Sequence, residues 1–538
     1  MEETVSLAGT PWGLIPIGLT ILCVFFTKRI VLSLLVGVVS AAFIASNFNL
    51  FNAVILMEST VTGIIFAPSE TALLGVFSRW YLSILIFLVG LGMVTTFAVV
   101  TGSAQTFVNA ISNRVTSRKG VQLVTVLTGM ILMIDDYFNA MVNGGIAKSL
   151  GDRYKVSRAK SAYIVDSIAA PICIIAPISS WAVAIMGNIS TTYETIGQGH
   201  RNPFVDFIAM VPYNFYVFSA IGMVLVTIFF DFNIFTMKNY EKAVETGRQD
   251  LSAGNVSEGL LIEGQSKKGT VADFWFPIVI LTGVTLMTMF VTGFQGATEA
   301  EIVEDGLIYA VLGNWSLSMS LFLGGIAAIL SAMYVGRKHV NLGEITQKQF
   351  NTTLWLGAKS MAMAIVILIL SWTIGALIGY LEVGRLVAST LSQVGVYGGF
   401  LPLIMFVAAA FLAFSIGTSW GTFALVLPIA GAAAYEIDMT LLLPAMSAVL
   451  SGAVWGDHAS PISDTTVLAS AGTNCEVVAH FRSQLPYALI AAGIAMMGYT
   501  AFGLTRNIWV GYAGFGFGMG LMVVLALVNK SKAKTAVL

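Results

Sequence analysis

Long uninterrupted apolar runs leave this chain few ways to fold. PWGLIPIGLTILCVFF (11–26), WYLSILIFLVGLGMVTTFAVV (80–100) and NIWVGYAGFGFGMGLMVVLALV (507–528) each approach or exceed the ~20 residues a helix needs to cross a bilayer. A helix satisfies its own backbone in hydrocarbon, where no water can. Only 10% of the 538 residues are charged and 57% are apolar, whereas soluble domains run near ~25% charged. The chain therefore reads as an all-α polytopic membrane protein. Crossings are expected at 12–27, 30–46, 80–101, 160–188, 212–231, 274–294, 308–335, 354–381, 441–470, 484–504 and 508–529. Residues 49–66, which carry Glu58, read as a short surface or partly inserted helix. MEETVSLAGTPW lacks a basic n-region and a small-residue cleavage site, so no removable signal peptide is expected. Cys23, Cys173 and Cys475 have no metal-like spacing and imply no disulfide framework.

Charge decides what to do with two further apolar segments. Residues 120–150 are flanked by Arg114, Arg118 and Lys119 on one side and by Lys148, Arg153, Lys155, Arg158 and Lys160 on the other. Basic flanks mark the cytoplasmic side, so this segment should enter and leave there as a re-entrant hairpin. Residues 400–434 lie between Glu382 and Arg385 and Glu436 and Asp438, which places a second hairpin outside. With the N-terminus outside and the C-terminus cytoplasmic, of the 27 Lys and Arg residues only Arg79, Arg201, Arg385, Arg506 and the intramembrane Lys359 fall off the inner side. The acidic stretch at 299–305 falls outside, and the polar residues 232–273 read as a cytoplasmic linker.

The chain also matches itself. APISSWAV (176–183) aligns with SPISDTTV (460–467), 284 residues later, and the same offset lays SIAAPI (167–172) on SGAVWG (451–456) and IDDYFNA (134–140) on TSWGTFA (418–424). Five crossings and one hairpin per copy turn the second copy over. The expected fold is thus two inverted repeats with re-entrant hairpins and broken transmembrane helices, about 11 spans plus two hairpins. Its parts are 1–231 (first repeat), 232–273 (linker), 274–504 (second repeat) and 505–538 (an extra span and a cytoplasmic tail).

Four polar breaks should then meet near mid-depth: DDYFN (135–139), APISS (176–180), GTSWG (417–421) and GDHASPISDTT (456–466). Carboxylates at membrane depth usually face a cavity, a partner or an ion. Hydroxyls, carboxylates and the carbonyls freed by Pro461 are oxygen ligands suited to hard cations. The candidate ion- or substrate-binding residues are Asp135, Asp136, Asn139, Ser179, Ser180, Thr418, Ser419, Asp457, His458, Ser460, Ser463, Asp464 and Thr465. Asp464, Asp135 and Asp136 are the expected Na+ ligands. Asp464 is favoured because Ser463, Thr465 and Thr466 surround it in sequence, while Asp457 could instead pair with His458. His458 stands open between a proton carrier and a hydrogen-bonded structural residue. Asp166, near the inner end of its crossing, is open between an ion site and a partner for a nearby Lys or Arg.

No phosphate loop, HExxH pair or GxSxG elbow is present, so neither enzyme chemistry nor ATP drive is expected. No pore-like ring motif argues for a channel. No cofactor or nucleic-acid partner is expected, and lipid is the expected surroundings.

GDHASPISDTTVLAS (456–470), QLPYA (484–488) with His480 before it, DDYFNA (135–140) and GDRYKVSRAKSAYIVDSIAAPICIIAPISSWA (151–182) together resemble the NhaC family of Na+/H+ antiporters. Ala459 stands where many members have Cys, and CEVVAH (475–480) is looser than the usual acidic–histidine pair. The resemblance implies exchange of cytoplasmic Na+ for external H+ in a cell inner membrane. It also implies hairpin-bearing domains that move against a scaffold, commonly in a homodimer. Some members carry small organic acids or amino acids with these ions, so a carboxylate solute is the alternative cargo. A desolvated carboxylate favours its proton and a bound cation displaces it, so one site can serve both ions in turn.

Overall fold

The computed structural model describes residues 7–27, 29–66, 80–112, 115–254, 268–298, 307, 311, 314–383, 385–386, 389–390 and 397–535. The acidic stretch 299–305, the start of the crossing expected at 308–335 and linker residues 255–267 lie outside them. Among the described residues the regular secondary structure is helical, with one isolated bridge between Ala253 and Cys475.

The first half runs α1 (Leu14–Thr27), α2 (Ile30–Ala45), α3 (Leu50–Phe66), α4 (Trp80–Val100), α5 (Ser103–Ser112), α6 (Arg118–Ile131), α7 (Asp136–Tyr154), α8 (Arg158–Cys173), α9 (Ser180–Thr195), α10 (Pro203–Met210) and α11 (Phe215–Phe229). α12 (Phe235–Glu245) follows. The second half runs α13 (Val271–Gly296), α14 (Leu317–Asn341), α15 (Gln347–Ser360), α16 (Ala362–Tyr380), α17 (Leu401–Ile416), α18 (Ser419–Ile437), α19 (Leu442–Ala459), α20 (Asp464–Thr473), α21 (Val477–Thr505) and α22 (Ile508–Thr535). Among the described residues, nine helices are long and apolar enough to cross a membrane, or up to 11 spans if α2 with α3 (bent by 120°) and α10 with α11 (bent by 50°) each count as one.

The expected breaks fall between helices. α6 and α7 meet at Asp135, α8 and α9 are separated by 174–179, α17 and α18 meet at Gly417 and Thr418, and α19 and α20 are separated by 460–463. Each break has a local cause. Ser179 caps α9 by accepting from the Ala182 amide at 3.0 Å, and Ser463 caps α20 by accepting from the Thr466 amide at 3.3 Å. Gly417 takes the left-handed conformation (φ +80°) that ends α17, and an added Cβ there would meet the Ile462 carbonyl oxygen at 2.8 Å. α6 has 14 residues, a rise of about 21 Å that falls short of the ~30 Å hydrocarbon core. The legs of the second hairpin are longer: Gly398–Ile416 and Ser419–Ile437 are each long enough to cross, so its placement as re-entrant rests on charge rather than length.

Packing crosses between the two halves of the chain. α7 lies along α20, and α18 along α9. Gly144 and Gly472 allow the first of these contacts, since a Cβ on Gly144 would stand 2.8 Å from the Gly472 backbone. Residues expected as a plain linker are in part structured. α12 presents buried Glu241, which accepts from the Ser157 amide at 2.8 Å and pairs with Arg118.

Candidate functional site

The tip of the first hairpin is held by its own cap. Asp135 is the N-cap of α7, with Oδ1 accepting from the Phe138 amide at 2.9 Å and Oδ2 accepting from the Ser180 hydroxyl at 2.9 Å. The Ser180 amide donates to the Ile134 carbonyl at 2.8 Å, so hairpin tip and first break are tied twice. Asn139 donates to the Gly129 carbonyl at 2.7 Å, and its own carbonyl oxygen is buried without a partner.

Asp457 organises the two breaks of the second half. From the end of α19 its Oδ2 accepts from the Ser419 hydroxyl (2.7 Å) and amide (3.2 Å) at the start of α18. Its Oδ1 accepts from Ser463 and, at 3.4 Å, from Thr465 at the start of α20. Two helix N-termini thus face one carboxylate, the favourable polarity for an anion. Asp464, the first residue of α20, accepts from the Tyr137 hydroxyl at the first hairpin and from the Thr465 amide at 3.0 Å. The remaining two breaks meet through Trp181 and Trp420, edge to face at 5.7 Å, with Phe423 against both.

Asp136 differs from the other three. It is 1% exposed, and neither of its carboxylate oxygens has a hydrogen-bond partner among the described residues. It lies within electrostatic reach of Asp135, Asp464 and Asp457, with the Trp181 indole beside it but not in hydrogen-bonding geometry. None of the four aspartates forms an ion pair with a described Lys, Arg or His. Among the described residues no group of three or more His, Cys, Asp or Glu could hold a metal ion. A cation here would draw on one or two carboxylates plus hydroxyl and carbonyl oxygens.

Other candidates take supporting places. The Ser179 hydroxyl donates to the Cys173 carbonyl at 2.7 Å, Thr418 is the N-cap of α18 without a side-chain cap bond, and the Ser460 hydroxyl faces the Ile462 amide at 3.5 Å. Hydroxyls expected around Asp464 turn elsewhere: Ser463 and Thr465 serve Asp457, and Thr466 serves Asp166. His458 does not pair with Asp457; its ring lies between the Ser167 hydroxyl (2.9 Å) and the Tyr216 hydroxyl (2.6 Å). Asp166 forms no ion pair with a described Lys or Arg, and instead accepts from His480 and Gln484. Tyr137 and Gln484 are not among the candidate site residues, although DDYFNA and QLPYA contain them, and His480 enters only through the family resemblance.

Buried carboxylates at the broken ends of apolar helices define a multi-pass membrane transporter. A family model described as "Na+/H+ antiporter family" matches residues 172–504. A Haemophilus influenzae protein described as uncharacterized is 34% identical over 538 residues, covering 99% of this chain and 98% of its own. The malate-2H+/Na+-lactate antiporter of Bacillus subtilis is 30% identical over 203 residues, covering 37% of this chain and 40% of that protein. The solved structure of the Alcanivorax borkumensis YdaH transporter superposes with a TM-score of 0.54 at 14% identity, covering 87% of this chain and 90% of that one, and so shares the fold. The chain belongs to the Na+/H+ antiporter family and is a secondary transporter, not an enzyme.

Proposed function

We propose that this protein exchanges Na+ for H+ across a cell inner membrane, with its N-terminus outside and its C-terminus cytoplasmic. The observation that carries the reading is the Asp136 carboxylate, buried with both oxygens unpartnered beside Asp464 and Asp457. An uncompensated buried charge costs several kcal/mol, roughly, so this group is satisfied only by a proton or a cation. Asp136 and Asp464 are the exchanging carboxylates. Asp135 and Asp457, already engaged by hydroxyl and amide donors, fix the two helix starts around them. The repeat reading is supported by helix starts at nearly constant spacing, as with Arg158 and Leu442 or Ser180 and Asp464.

The test is a dye-reported pH gradient in proteoliposomes challenged with Na+, Li+ and K+. Asp136→Asn and Asp464→Asn each lose Na+-driven proton movement by about tenfold or more, since each removes a charged partner worth ~1.5–3 kcal/mol. Wild-type rates in both variants would remove these carboxylates from the exchange.

A second reading is coupled transport of a small organic acid or amino acid. The indole N–H groups of Trp181 and Trp420 are buried without acceptors, a pair of donors suited to a carboxylate. The name of the Bacillus subtilis relative points the same way. Proton movement that requires an added organic acid as well as Na+ would favour this cargo.

A further inference from the structure

A second buried polar cluster lies apart from the four aspartates. On α8, Asp166 is 1% exposed, and its Oδ2 accepts from Gln484 Nε2 (2.7 Å), His480 Nε2 (3.2 Å) and Thr466 Oγ1 (3.3 Å). These partners come from α21 and α20. Gln484 also donates to the His458 carbonyl at 2.6 Å. Three atoms of the cluster are buried without a partner among the described residues: Asp166 Oδ1, His480 Nδ1 and Gln484 Oε1. Buried polar atoms are rarely left unpaired, and each orphan costs ~1–3 kcal/mol. Two of the three, Asp166 Oδ1 and Gln484 Oε1, are acceptors left without a donor among the described residues.

We propose that Asp166 and His480 form a second proton-carrying site, separate from the aspartates that take Na+. The inference rests on the antiport reading and adds a proton to it. The titratable groups around Asp166 are His480 on α21, His458 on α19 and Tyr216 on α11, with Asp457 and Asp464 within electrostatic reach. Among the described residues no lysine or arginine forms an ion pair with Asp166, which pairs with His480. Coupling to the Na+ site runs through α20, whose first turn carries Asp464 toward the first hairpin and Thr466 toward Asp166. Cation charge at Asp464 favours the ionised form of the Asp166–His480 pair and expels its proton, and by linkage a proton on the pair weakens Na+ binding.

The experiment uses purified full-length protein and counts protons released per Na+ bound, with a pH indicator and radiolabelled Na+. Asp166→Asn should bind Na+ within about threefold of wild type while releasing about one proton fewer, and His480→Gln should shift the count in the same direction. Asp464→Asn should lose Na+ binding itself. Reconstituted Asp166→Asn should show a lower H+/Na+ ratio from its reversal potential, a quantity that a merely structural defect does not change. An unaltered proton count in Asp166→Asn overturns the proposal. If that variant does not fold, His480→Gln decides by the same count. Wild-type protein that moves no protons with Na+ overturns the antiport reading instead.

Discussion

Asp457 and Asp136 are the same side chain in opposite company. The first is ringed by Ser419, Ser463 and Thr465, and the second has no hydrogen bond at all. Stability and transport should therefore separate between them. Ser419→Ala removes a hydroxyl from a buried carboxylate and should cost ~1.5–3 kcal/mol. Its readout is a lower melting temperature in detergent, with a smaller effect on the Na+ KM than Asp136→Asn; the reverse ranking would make Ser419 a ligand rather than a support. The four acids were legible in sequence because carboxylates stand out in apolar runs. Their partners were not. Neighbours in sequence surround Asp464, but the turn at Pro461 swings Ser463 and Thr465 back to Asp457. The contact of Asp166 with His480 joins residues 314 apart, a pairing no local pattern encodes.

At the scale of elements, the breaks were readable because glycine, proline and capping residues interrupt apolar periodicity, and the helices stop at Ile131, Cys173, Ile416 and Ala459. α12 was harder to see: its polar sequence looks like linker, and only tertiary partners for Glu241 make it part of the fold. The turn between α18 and α19 is fastened in a comparable way. Asp438 accepts from the Thr440 amide at 2.9 Å and hydroxyl at 2.8 Å, and pairs with Arg506 after α21. The Thr440 amide and hydroxyl, then the Arg506 charge, hold its carboxyl below the usual range. A lowered folded-state value stabilises the native form above the ordinary carboxylate value of about 4 and ceases to do so as pH falls through the folded value. Asp438→Asn should therefore lower the melting temperature at neutral pH, and the gap to wild type should close on acidification. A gap independent of pH would assign the loss to the Thr440 turn alone.

At the scale of the whole molecule, ion pairs outside the crossings join groups expected on the same side of the membrane. Arg118 with Glu241, Arg158 with Asp152 and Lys338 with Asp273 join groups expected inside; Arg201 with Asp206, Arg385 with Glu382 and Arg506 with Asp438 join groups expected outside. Beyond α12 the chain strengthens the inner grouping. Asp250 accepts from the Arg158 amide at 2.8 Å, while the Ser252 carbonyl accepts from the Glu476 amide at 2.9 Å, which ties the base of α8 to the start of α21. The expected inversion of the second half puts a residue on α12 and one at the end of α18 on opposite faces of the membrane. Lys242 and Glu436 are exposed representatives. Cys173 and Cys475 are buried, so Cys23→Ser gives a background of low reactivity. In intact cells a membrane-impermeant maleimide should label Glu436→Cys, and should label Lys242→Cys only once the membrane is opened. Labelling of both from the same side would place α12 and the end of α18 together and overturn the expected inversion of the second half.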